Sequence, residues 1–191
     1  MANKVKFGLC DVHISKITVN NDGTFTYGTP FAIPGAVSLT LDAEGDEATF
    51  SADNNSRYFV SYANNGYSGS LEMALYTEKF RTDILGETLD NNGALVEDAS
   101  ASISPFALGF RIDGDDKNTK FWYYNCMASR PGVSGNTTEE TITPQTETMN
   151  ITASQRPTDS RVRVSMTENN SNTTAYGTFF DNVYEASITT I

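Results

Sequence analysis

Few residues of this chain could do chemistry, and they are widely dispersed. Asp42, Glu44, Asp46 and Glu47 bring four carboxylates into the run Asp42-Ala43-Glu44-Gly45-Asp46-Glu47. Hard oxygen ligands at that density could hold a calcium ion. An EF-hand loop, however, wants glycine where Glu47 stands and an ordinary residue where Gly45 stands, so the run reads as a solvated acidic loop. Asp113, Asp115 and Asp116, in Asp-Gly-Asp-Asp followed by Lys117, carry ordinary turn chemistry. The single histidine, His13, lies three residues after Cys10. A thiol–imidazole pair needs both side chains on one face, and strand positions 10 and 13 point to opposite faces. His13 is therefore expected to be a packed or surface residue. No Gly-x-Ser-x-Gly elbow, P-loop or glycine-rich dinucleotide turn occurs. The expectation is a non-enzymatic protein with no catalytic residues, no metal site and no cofactor.

What the chain does offer is adhesive chemistry. The stretch 121–157 opens with Phe121-Trp122-Tyr123-Tyr124, which includes the only tryptophan. It turns at Arg130-Pro131-Gly132 and continues through a Thr/Glu-rich segment. Backbone pairing, aromatic area and a hydroxyl-rich face suit a building block.

Composition narrows the class further. The chain has 191 residues and a formal net charge of −11, with 13 Lys and Arg against 24 Asp and Glu. That balance argues against tight nucleic-acid binding, which needs clustered cations to neutralise phosphates. It suits a surface that nucleic acid passes without adhering. Thr, Ser and Asn supply much of the polar character and favour strands and turns over helices. The two cysteines, Cys10 and Cys126, fall on separate strand-like segments and are expected as free thiols. No apolar h-region follows Lys4 and Lys6, and no apolar run nears the ~18 residues of a membrane span. Neither export nor membrane insertion is expected, so the Asn-x-Ser/Thr triplets are a by-product of composition.

The elements that must carry these residues are mostly strands. Residues 7–14 and 23–33 are strand candidates, and Asn21-Asp22-Gly23 marks a hairpin turn after a strand through Val19. Pro30 and Pro34 make the second strand an edge or a bent one. Further strands are expected at 36–41, 57–63 and 67–76, the last placing Leu71, Met73 and Leu75 on one face. A short helix is expected over 78–85, capped by Thr77, stopped by Gly86 and striped by Phe80 and Ile84. Residues 90–102 read as an acidic loop, and 104–113 and 119–128 as strands. Alternation puts Phe121 and Tyr123 on one face of that last strand and Trp122, Tyr124 and Cys126 on the other. A strand apolar on both faces lies between two layers or meets another subunit. In 141–154, Met149, Ile151 and Ala153 share a parity that Ile142 breaks across Pro144. Residues 161–166 alternate with arginines outward, and 168–174 form a loop. Residues 175–186 fit a strand or a short helix. The architecture expected is mainly β: one β-sandwich or barrel domain over 1–191 with a flanking helix and extended loops at about 42–56 and 130–140.

Several of these segments, in order, resemble the major tail proteins of long-tailed, non-contractile bacteriophages. They are Asn64-Asn65-Gly66-Tyr67-Ser68-Gly69 into Leu71-Glu72-Met73-Ala74-Leu75, Phe80-Arg81-Thr82-Asp83-Ile84-Leu85-Gly86, and Phe106-Ala107-Leu108-Gly109-Phe110. Tyr124-Asn125-Cys126-Met127-Ala128-Ser129-Arg130-Pro131, Pro144-Gln145-Thr146-Glu147-Thr148, Ile151-Thr152-Ala153-Ser154 and Val183-Tyr184 continue the series. The resemblance implies a tail-tube subunit of the virion, made in the host bacterial cytoplasm. Such proteins form hexameric rings that stack into a tube around a tape-measure protein, from a tail-tip initiator to a terminator. DNA then passes through the tube without specific binding. The candidate self-assembly or lumen contacts are Asp42, Glu44, Asp46 and Glu47 in the acidic loop, and Arg130, Glu139 and Glu140 in the 130–140 turn. Two rivals share the fold: a β-sandwich that recognises glycans or decorates a virion surface, and a pilus-like or secretion-tube subunit.

Overall fold

A computed structural model describes residues 5–114, 117–137 and 144–187. The chain is mainly β. Its strands are β1 (Leu9–Val19), β2 (Phe25–Tyr27), β3 (Phe31–Ala32), β4 (Ala36–Glu44), β5 (Glu47–Ala52), β6 (Asn55–Tyr62) and β7 (Gly66–Met73). After helix α1 (Glu78–Asp83) come β8 (Thr88–Leu89), β9 (Leu95–Val96), β10 (Phe106–Ile112), β11 (Lys120–Ala128), β12 (Glu147–Ala153) and β13 (Arg163–Met166). A second short helix, α2 (Thr173–Gly177), follows. No helix among the described residues is long and apolar enough to cross a membrane.

One antiparallel sheet runs in the order β2-β1-β10-β11-β12-β7-β4, with β3 on β1 and β13 on β11. It curls so that β4 returns beside β1 around one core, with no hydrogen-bonded ladder between them among the described residues. Alternation builds that core: Leu71 and Met73 of β7 face Met149 and Ile151 of β12, while Leu39 and Leu41 of β4 pack alongside. The hairpin at Asn21–Gly23 forms as expected and pairs β1 with β2. The Pro30 and Pro34 segment breaks the next strand into the short β3.

Helix α1 packs against one end of the core. The Thr77 hydroxyl accepts from the Phe80 N–H at 3.3 Å, and Gly86, at φ +75°, ends the turn. Phe80 stacks on Tyr76 and meets Phe106 edge-on, and Ile84 and Leu85 are fully buried. Arg81 fastens the helix to β12 through Glu147, at 2.9 and 3.0 Å.

Two expectations from alternation fail, both at bulges. Asp11 takes φ +52° where β1 slips against β10, so positions 10 and 13 no longer obey simple parity. On β11, Phe106 faces Cys126 but Leu108 faces Tyr123, an extra residue that turns Cys126 toward the main core with Tyr123. Trp122 and Tyr124 stay on the opposite face. The bulge lies where β11 exchanges partners, from β13 along Lys120–Tyr123 to β12 along Cys126–Ala128.

That opposite face of β11 is covered from within the chain. Residues 173–187 form α2 and then turns, and Phe179 and Val183 bury Ala107, Trp122 and Tyr124. Trp122 Nε1 donates to the Phe179 carbonyl at 2.8 Å, and the Tyr124 hydroxyl donates to that of Tyr184 at 2.8 Å. Arg156 clamps the far end with paired bonds to Asp159 and to Glu185, at 2.5–2.7 Å. Leu75 departs from its expected face and is exposed beyond the end of β7.

Candidate functional site: the arm and the cation-free sheet face

The acidic stretch expected as a loop over 42–56 is instead a strand-and-hairpin arm. Two backbone bonds join the β4–β7 pair to the separate β5–β6 hairpin: Asn65 N–H donates to Glu44 O at 2.8 Å and Ala63 N–H to Asp46 O at 2.9 Å. Thr49, Phe50, Tyr58, Phe59, Val60 and Tyr62 are strong strand formers. The Asp53-Asn54 turn, with both φ positive (48° and 58°), matches the right-handed twist of a tight hairpin. The acids misled because they alternate along a ribbon instead of clustering in a turn. Gly45 is required at the root, since a Cβ there would lie 2.0 Å from the Ala63 carbonyl oxygen.

The arm buries almost nothing. Every residue of β6 and all of β5 except Ala52 is exposed. Phe50 sits directly opposite Phe59 on one face, and Thr49 opposite Val60, flanked by Tyr58 and Tyr62, on the other. A two-stranded ribbon with apolar residues on both faces is marginal in water and gains stability from a third strand or a packed surface.

The sequence-derived candidates fall into two groups. Asp42 and Glu44 lie on β4, where Glu44 accepts from the Ser68 hydroxyl. Asp46 and Glu47 lie at the root of the arm: Asp46 accepts from Asn65 Nδ2 at 3.4 Å, and Glu47 pairs with Arg57 and accepts from the Tyr62 hydroxyl at 3.2 Å. Among the described residues, no three His, Cys, Asp or Glu converge as a metal site. Arg130 is separate. It ion-pairs with Glu97 at 3.2 Å and donates toward the Asp98 and Ala101 carbonyls, tying residues 97–101 to the end of β11. Residues 131–137 carry no regular structure. Glu139 and Glu140 lie outside the described residues, as do Asp115, Asp116 and Ile142.

Sequence reasoning missed a second surface, the outer face of β4, β7 and β12. The register aligns Ser38, Glu72 and Thr148 in one row, Thr40, Ser70 and Asn150 in the next, and Asp42, Ser68 and Thr152 in a third. No lysine or arginine stands in these rows. Hydroxyls from Thr146 (2.6 Å) and Ser38 (2.8 Å) donate to Glu72 and hold its carboxyl below the usual range. The signal was present in the even positions of 68–72 and 148–152, but only the strand order assembles them into one surface.

His13 and Cys10 are not arranged as a catalytic pair. The imidazole stacks on Phe180 with centroids 4.5 Å apart, and its Nδ1 lies 2.8 Å from the Asp11 carbonyl oxygen. The Cys10 thiol points to the Arg111 carbonyl, and burial raises its pKa.

No protein-family model matches the chain, and no curated protein matches it.

Proposed function

We propose that this chain is a structural subunit that assembles with copies of itself into stacked, six-membered rings forming the tail tube of a non-contractile bacteriophage. The observation that carries the reading is the free arm: a long ribbon, aromatic on both faces, that contributes almost nothing to its own core. Such a surface is an aggregation liability in a solitary protein and an assembly device in a polymer. The edge of β4 away from β7 offers a second route: among the described residues no strand is laddered to it, and main-chain groups there can extend the sheet into a neighbouring copy.

The cation-free face of β4, β7 and β12 is assigned to the bore. Phosphates held by lysine or arginine would retard a passing strand, and each such contact strengthens binding as counterions leave. Hydroxyls, an amide and carboxylates provide wetting without attraction, and the carboxylates repel DNA within a Debye length of about 8 Å. In this reading the tube grows around a tape-measure protein, from a tail-tip initiator toward a terminator.

Negative-stain microscopy of the concentrated protein tests the reading. Tubes or stacked rings of uniform bore are expected. Persistent monomers at every concentration, together with specific glycan-array binding, would replace it with the glycan-binding module.

A further inference from the structure

Helix α1 packs on the Phe106 end of the core, and among the described residues no element covers the end where β1 and β11 begin and β10 finishes. There a cavity of about 420 Å³ opens among Leu9, Leu41, Ile112 and Phe121, with Lys6 and Arg163 among its lining residues. An apolar mouth with cations beside it selects an occupant that is apolar at its centre and acidic around it.

We propose that this mouth receives the aromatic arm of a second copy of the chain, a proposal that rests on the self-assembly reading above. The arm has the complementary composition: Phe50 and Phe59 side by side on one face, with Asp46, Glu47 and Asp53 nearby against the single cation Arg57. It cannot serve its own barrel. The arm follows directly on the strand β4, which supplies Leu41 to the cavity and is joined to β5 by residues 45–46. Folding back would break the Asn65–Glu44 and Ala63–Asp46 backbone bonds. Reach is sufficient, since the eight residues of β6 extend about 26 Å at ~3.3 Å per residue. An arm-into-mouth contact is heterologous, so each copy gives one arm and accepts another, which propagates a ring or a filament.

Phe59→p-benzoylphenylalanine, illuminated in a mixture of isotope-labelled and unlabelled protein, reads the contact directly. Cross-links are expected between copies, on peptides containing Leu41, Ile112 or Phe121, and Lys6→Glu with Arg163→Glu should lower their yield at least tenfold. A second measurement uses complementation. Phe50→Ser/Phe59→Ser protein and Lys6→Glu/Arg163→Glu protein should each remain at monomer mass. Mixed together, they should form heterodimers and stop, because one intact arm meets one intact mouth. Tubes with Phe59 cross-links mapping outside the mouth would overturn the proposal and leave self-assembly standing. Absence of both cross-links and association for the unmodified chain would overturn the two together.

Discussion

Replacing both arm phenylalanines, Phe50→Ser with Phe59→Ser, should separate folding from assembly. The two side chains are 61% and 56% exposed, so the monomer loses almost no burial. Surface changes of this kind fall within about 0.5 kcal/mol, and the urea midpoint of the monomer should stay where it is. Assembly should respond very differently. Side chains of ~200 Å² exposed to that extent leave about 230 Å² of ring surface in water. Covering half of it at ~25 cal/mol/Å² contributes about 3 kcal/mol per contact. That is about a hundredfold in subunit affinity, since ~1.4 kcal/mol is a factor of ten. Sedimentation velocity across a concentration series measures the shift, and circular dichroism in urea supplies the stability control. Tubes forming at unchanged concentration would remove the arm from the assembly mechanism. An equal loss of monomer stability would mean that the arm packs on its own chain.

Three further outcomes follow from the interior. Trp122→Phe removes the donor to the Phe179 carbonyl and should cost about 1–3 kcal/mol for a buried acceptor left unmet, read as a lower urea midpoint by circular dichroism. An unchanged midpoint would show that residues 173–187 are not held on β11 by that bond. Arg156 holds the Asp159 carboxyl below its usual range, so the folded value lies beneath the unfolded one. The resulting stability is fully present above about pH 4 and is lost as pH falls through the lowered value, so Asp159→Asn should flatten the acid limb of the stability curve below that point. Burial pushes the Cys126 thiol up to about 12. Its alkylation at pH 8 should therefore be absent in native protein and complete in urea, with Cys10 reacting first; rapid native labelling of Cys126 would contradict its place in the core.

Where local pattern and long-range pairing agree, the sequence was readable. The Asn21–Gly23 hairpin, the Thr77-capped helix and the Met149, Ile151, Ala153 face each depend on contacts between near neighbours or on a single periodicity, and each appears where alternation or capping places it. The bulges were not readable, because one inserted residue reverses parity with almost no compositional mark. Asp11 at φ +52° is typical: an aspartate tolerates the conformation but does not announce it. In the arm, the strand expected at 57–63 appears as β6, but the loop expected at about 42–56 failed for a different reason. Its acids resemble a turn locally, and only the pairing of 47–52 with 55–62 shows a ribbon exposed on both faces. The two-sided apolar strand was recognised, but whether its second face met another layer or another subunit depended on residues 179–184, more than fifty positions away. The polar sheet face was invisible for the same reason, since its three rows draw on segments near 40, 70 and 150.

These features divide the molecule into a buried core and an exposed arm. The core of β1, β7, β10, β11 and β12, closed by α1 and by residues 173–187, accounts for nearly every fully buried apolar side chain. The arm adds aromatic area without using it, which would be hazardous in a neutral protein. Here the net charge of −11 makes copies repel over about a Debye length, and acids at the root and tip of the arm sit beside the rings they must keep in solution. Repulsion of that kind is non-directional, whereas a phenyl pair entering a cavity requires one orientation. A disordered encounter therefore retains most of the repulsion and gains little burial, whereas in the proposed contact an aligned copy would gain burial and set carboxylates near Lys6 and Arg163. The acidic excess thus disfavours random aggregation more than ordered addition of the proposed kind.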